Sequence, residues 1–169
     1  MARLKKSLPG APPAAGVGRR GIHGHLPYLL RQANAVTRLA LDRALADLEM
    51  TLPQFSALQM IGAYQPLSSA DLARLTWLTP QTINAIVRNL ETRAAIVRSP
   101  HGAHGRILNV ELTAKGRRLL AQCRKRADRI TAKLEAGLTS ASDQEAVRRW
   151  LTYVATELGQ HDGPPFLPE

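Results

Sequence analysis

Residues 68–106 read SSADLARLTWLTPQTINAIVRNLETRAAIVRSPHGAHGR. Two helix starts are written into this stretch. Ser68 or Ser69 can cap a first helix, and Asp71 falls in its first turn, where a carboxylate favours the positive end of the helix dipole. Thr79 and Pro80 can cap and open a second helix, because the first helical position has no use for a backbone N–H. Trp77 stands in the turn between them. The second helix, expected to run to about Arg93, sorts its residues by face. Ile83, Ile86, Val87 and Leu90 recur at helical spacing and form a core stripe, while Gln81, Thr82, Asn84, Ala85, Arg88 and Asn89 occupy the opposite side. Ala95 to Ser99 then reads as a short strand and Arg106 to Leu112 as a returning one, joined by the loop Pro100–Gly105. Alternation puts Leu108, Val110 and Leu112 on one strand face and Ile107, Asn109 and Glu111 on the other. Helix, tight turn, helix and basic hairpin set a polar helix face beside a positive loop. That suits a polyanion with a groove.

The rest of the composition agrees. Lys and Arg number 23 against 13 Asp and Glu, a formal charge of +10 in 169 residues. Such a balance favours nucleic acid or an anionic membrane surface as partner. Aromatics make up only 4%, which argues against single-strand binders that stack bases. The length suits one main domain with a core of reasonable size. Residues 1–22 hold Arg3, Lys5, Lys6, Arg19 and Arg20, no acid, and several Pro and Gly, so they are expected to form a flexible basic arm. That arm lacks the continuous apolar region of a secretory signal, and no apolar run approaches the ~20 residues that span a bilayer. The expected location is the cytoplasm. Residues 161–169 are expected to form a second irregular tail.

Outside the central stretch the chain is helix-forming. Leu26, Leu30, Ala33, Thr37, Ala40, Ala44 and Leu48 repeat every three or four residues across His25 to about Glu49. Thr51-Leu52-Pro53-Gln54 opens the next helix with a capping box, in which Thr51 and Gln54 satisfy each other's backbone N–H groups. Phe55, Leu58 and Ile61 follow on its buried side, and Gln65-Pro66 stops it. Thr113 caps a long helix with the stripe Leu119/Leu120, Cys123, Ala127, Ile130, Leu134 and Leu138. Ser140 and Ser142 offer caps for a last helix carrying Val147, Trp150, Leu151, Val154 and Leu158.

The polar face of the Thr79–Arg93 helix fits a major groove about 12 Å wide. Gln81 and Asn84 suit adenine, which both donates and accepts, and Arg88 suits guanine or phosphate. Ser68, Ser69, Thr79 and Thr82 stand at helix starts, where backbone N–H groups are available to phosphate. His104 and Arg106 would contact a minor groove or backbone from the hairpin tip. No nucleophile–base pair, paired-carboxylate motif or phosphate loop is visible, so no enzymatic activity and no cofactor is expected. The five histidines show no paired ligand spacing on a helix, so no metal site is expected either. The single cysteine, Cys123, lies on an apolar stripe and reads as a buried structural thiol.

At the stretch LARLTWLTPQTINAIVRNLETRAAIVRSP, followed by RILNVELTAKG over 106–116, the sequence resembles the MarR family of winged helix-turn-helix transcription regulators. The resemblance covers roughly residues 25–159. It implies a mainly α winged helix-turn-helix fold, with about six helices and a two-stranded β wing, in an intertwined homodimer. Residues 23–50 and 114–160 would form the dimerisation region, and 51–113 the DNA-binding lobe. Two reading heads would meet a pseudo-palindromic operator on double-stranded DNA. Many relatives bind phenolic or aromatic carboxylates near the dimer helices. His25, Tyr28, Arg31 and Met60 are the positions here that suit such an effector: Arg31 for the carboxylate, Tyr28 and His25 for a hydroxyl, Met60 as an apolar wall. Two departures from the family pattern stand out. His104 occupies the place of an Asp that usually pairs with the wing arginine, and Ala94 stands where glycine usually ends the recognition helix. A repressor released by such an effector is the reading that results. A sequence-tolerant architectural DNA-binding protein without a ligand stays open beside it.

Overall fold

A computed structural model describes residues 14–100 and 108–159. The chain divides after Ala40 into two compact units. In the first, a 3-10 turn over Gly18–Arg20 precedes the start of α1 (Leu26–Leu45). Leu26, Val36 and Leu39 of α1 are exposed. The second unit continues with a 3-10 turn at Ala46–Leu48, α2 (Leu52–Tyr64), β1 (Leu67–Ser68), α3 (Ser69–Thr76) and α4 (Pro80–Thr92). Strands β2 (Ile96–Pro100) and β3 (Leu108–Leu112) follow, then α5 (Ala114–Glu135) and α6 (Ala141–Gly159). This is a winged helix-turn-helix.

Local chemistry fixes the helix ends. The capping box at α2 is complete: Thr51 N–H donates to Gln54 Oε1 at 3.0 Å and Gln54 N–H to Thr51 Oγ1 at 3.4 Å. Thr113 caps α5 by accepting from Gly116 N–H at 3.0 Å, and Ser140 caps α6 by accepting from Asp143 N–H at 3.0 Å. The first long helix stops at Leu45, short of the expected Glu49. Glu49 itself takes a left-handed φ of 52°, which ends the helical run.

The core is continuous through the second unit. Leu58, Ile61, Leu72, Ile83, Val87, Leu90 and Val110 are fully buried, and Cys123 joins them from α5. Burial pushes the Cys123 thiol up, against the opposing pull of Arg93 and Arg126. A buried thiol of raised pKa is a poor nucleophile.

The wing has one strand more than the sequence suggested. The sheet order is β1-β3-β2, all antiparallel, with Leu67 opposite Val110 and Ile96 opposite Leu112. Two residues of β1 carry too little pattern to be read as a strand. Their pairing makes β3 the central strand, with Val110 and Leu112 buried on the face that the alternation predicts. Asn109 is buried between Ser68 and Ser99, whereas Leu108, at the end away from the core, is exposed.

Ala94 follows α4 with φ at 55°, the left-handed conformation in which glycine is normally found. A Cβ is disfavoured in that conformation, so the alanine here carries strain that glycine would not. Ala94→Gly should raise stability by about 1 kcal/mol in thermal or denaturant unfolding.

The faces of α5 and α6 are not all covered. Leu134 of α5 and Val147, Trp150, Leu151 and Leu158 of α6 are exposed in the single chain.

Candidate nucleic-acid interface

The reading helix α4 is built from both ends of the sequence logic. Thr79 Oγ1 accepts from Thr82 N–H at 3.1 Å and lies 2.8 Å from Thr82 Oγ1, so one cap also orients a second hydroxyl. Pro80 opens the helix. Ile83, Ile86, Val87 and Leu90 are buried, and Gln81, Thr82, Asn84, Ala85, Arg88 and Asn89 are exposed, as their spacing predicts. A single face therefore presents amides, a hydroxyl and a guanidinium to solvent.

Helix α3 supports α4 from beneath. Its cap, Ser68, accepts from Asp71 N–H at 3.1 Å and donates to Asp71 Oδ2 at 2.6 Å. Ser68 and Ser69 are half-buried, so the Ser68 hydroxyl is already engaged within α3. The Asp71 carboxyl is held below its ordinary value, first by the Ser68 hydroxyl and then by Arg74. A depressed folded-state value stabilises the fold above the unfolded value of 3.8, and the contribution fades as pH falls through the folded value. The stability gap between wild type and Ser68→Ala should therefore be widest near neutral pH and narrow below about pH 4, in thermal melts across the acid range.

Trp77 caps α3 with a left-handed φ of 55° and is 53% exposed. A Cβ at Gly159 would meet its Cη2 at 2.7 Å, which places the ring against the end of α6.

Sequence reading overlooked Arg93. Its guanidinium donates to the Leu48 and Glu49 carbonyls at 2.8 Å each and approaches Met50 sulfur at 3.1 Å. The end of α4 is thereby tied to the start of α2. Nothing in a linear pattern marks an arginine as an internal clamp across more than forty residues. On the wing, Arg98 Nε lies 3.2 Å from Glu91 Oε2, and Ser99 donates to Glu111 at 3.0 Å. His104 and Arg106 lie outside the described residues.

Of the expected effector residues, His25 precedes α1 and is exposed, and the Arg31 guanidinium sits 5.5 Å from the Tyr28 ring centroid. That is cation–π distance, and it holds the two side chains together. Met60, in the second unit, is half-buried against the core. A separate cleft of about 480 Å³ lies between α2 and α5, lined by Gly62, Gln65, Leu112, Arg117, Arg124 and Lys125, among others. It combines apolar walls with three cations and the Asp128 carboxylate, and the sequence did not single out those cations. No group of three His, Cys, Asp or Glu close enough to hold a metal occurs among the described residues, and no described helix is long and apolar enough to cross a membrane.

Comparison with known proteins converges on one family. A sequence profile described as MarR family matches residues 48–107. The HTH-type transcriptional repressor Rv2887 of Mycobacterium tuberculosis is 38% identical over 73% of this chain and 88% of its own. The chain belongs to the MarR family. The crystal structure of Rv2887 with salicylic acid shares 37% identity with it, at a TM-score of 0.62, covering 77% of this chain and 96% of that one. The Rv2887 complex with DNA shares 34% identity at the same TM-score, covering 77% and 97%. Membership in MarR confirms the resemblance read from LARLTWLTPQTINAIVRNL and the Leu-Thr-x-Lys-Gly run, and with it the winged helix-turn-helix fold. MarR members with these matches are named as transcriptional repressors.

Proposed function

We propose that this protein is a cytoplasmic transcriptional repressor that binds double-stranded DNA as a homodimer and releases it on binding a small aromatic or phenolic carboxylate. The observation that carries the reading is α4, with a buried apolar stripe on one side and Gln81, Thr82, Asn84, Arg88 and Asn89 exposed on the other. Gln81 and Asn84 would read base edges, Arg88 would contact a base or phosphate, and Thr79, Thr82, Ser68 and Ser69 would line the phosphate path, with His104 and Arg106 acting from the wing. Rv2887, crystallised with DNA and with salicylic acid, supports both halves of the proposal. The homodimer is supported by α6, which buries no residue within its own chain. We assign residues 23–50 and 114–160 to that dimer, 51–113 to the DNA-binding lobe, and 1–22 and 161–169 to flanking basic and irregular segments.

Release follows from linkage. An effector that binds one spacing of the two heads better than the other draws the population toward that spacing. Arg31 is assigned to the effector carboxylate, with Tyr28 and His25 for a ring hydroxyl and Met60 for the ring. The test is a thermal-shift titration with salicylate. Wild type is expected to gain stability with concentration and Arg31→Ala to lose most of that gain. Equal shifts in the two proteins would remove Arg31 from the site, and a shift lost instead in Arg124→Ala would move the effector to the α2–α5 cleft.

A further inference from the structure

The amide of Gln54 is doubly committed, and the commitment reaches the reading helix. Its Oε1 accepts from Thr51 N–H at 3.0 Å, because only the oxygen end of the amide can meet a backbone donor. Its Nε2 end is therefore turned outward, and it donates to Asn89 Oδ1 at 3.1 Å. Asn89 in turn can meet that donor only with its oxygen. Its Nδ2 group, with two N–H donors, is left on the side away from α2. A helix cap thus sets which end of an asparagine faces outward on α4, across 35 residues of sequence.

Asn89 is exposed and shares with Thr82, at i and i+7, the flank of the polar face nearest α2. Gln81, Ala85 and Arg88 occupy the centre of that face. A residue at its rim, presenting donors alone, is matched to a group that accepts alone. A phosphate oxygen is such a group and lies at the rim of the groove; guanine O6 and N7 also accept alone but lie on the groove floor, under the centre of the face, and the edge of adenine both donates and accepts.

We propose that Asn89 is a donor contact to the DNA phosphate backbone and that Gln54 is the positioning residue that fixes its polarity through the α2 capping box. The proposal rests on the reading of α4 as the DNA-facing helix. It adds a sequence-independent contact that helix periodicity alone does not distinguish from base reading.

The test is a double-mutant cycle on Gln54→Glu and Asn89→Ala. Binding is measured against a duplex selected by the wild-type protein from a random pool, and against an unrelated duplex. Glutamate at the third helical position preserves the capping box, so thermal melts of Gln54→Glu should not fall below wild type. It can only accept, so the Asn89 amide turns over to donate to it and presents oxygen outward. Asn89→Ala should weaken both duplexes by the same factor, roughly tenfold to a hundredfold, the scale of one hydrogen bond to a charged group. Gln54→Glu should cost about as much in wild type and nothing further in Asn89→Ala. Overturning results are a Gln54→Glu loss that persists in Asn89→Ala, which would be charge repulsion alone, an Asn89→Ala loss confined to one base pair, or no loss. If wild type binds duplexes without this coupling, only the present proposal fails. If wild type binds no duplex, the repressor reading fails and takes this proposal with it.

Discussion

Replacing Gly116 by alanine should destabilise the protein by about 3 kcal/mol, enough to lower its melting temperature by roughly 10 °C. Gly116 is buried in the first turn of α5, where a Cβ would fall 1.9 Å from the Ala95 carbonyl oxygen and 2.8 Å from its carbonyl carbon. Two effects oppose each other. Alanine is the better helix former by roughly 1 kcal/mol. However, the clash is with backbone rather than with the end of a flexible side chain, and no rotamer change relieves it. The same carbonyl accepts from Thr113 N–H at 3.0 Å, while Thr113 Oγ1 donates to Ala94 O at 2.7 Å, so the strand cannot move aside without breaking the α5 cap. Steric overlap wins. A melting temperature equal to or above that of wild type would show that the α5–wing junction is looser than its geometry. This junction also gives the Leu-Thr-x-Lys-Gly run its physical meaning: Leu112 is a core residue of β3, Thr113 is the cap, and Gly116 is the close approach.

The helices and their buried stripes were legible in the sequence because each carries its own period and its own cap. Thr51 with Gln54, Ser68 with Asp71, Thr79 with Pro80 and Thr113 with Gly116 are local signals, complete within four residues. Ala94 stood out for a different reason, as a departure from the glycine that the family resemblance implies there. What could not be read was long-range. Strand β1 is two residues long and exists only because β3 offers it an edge, and that edge is what buries Asn109. Arg93 is indistinguishable in sequence from a solvated arginine until α4 folds back on the Leu48–Met50 turn. The Arg117, Arg124 and Lys125 side of the α2–α5 cleft reads as an ordinary charged helix face. The polar face of α4 was legible as a face, but the division of labour along it depends on neighbours such as Gln54.

Gln81→Ala and Asn84→Ala should each cost about 1–3 kcal/mol of operator affinity, concentrated at particular base pairs. The pair together should bring operator binding close to that of an unrelated duplex. Both side chains are exposed on α4, and the buried stripe beneath them is untouched, so melting temperatures should stay at the wild-type level. Arg106→Ala should behave differently. Losing a phosphate-directed charge weakens every duplex to a similar degree and lowers the salt slope by about one. These two signatures separate base reading from backbone attraction. If the α4 variants retain wild-type selectivity, α4 is not the reader.

Selective reading of DNA by α4 under effector control is tested most directly by anisotropy titration at one physiological salt concentration. Wild-type protein is titrated with its selected operator and with an unrelated duplex, each with and without salicylate. The expected result is an operator preference of at least about a thousandfold, reduced when salicylate is present and abolished by Gln81→Ala with Asn84→Ala. A preference near one, unmoved by those substitutions, would contradict the account and leave a basic protein that coats DNA without reading it.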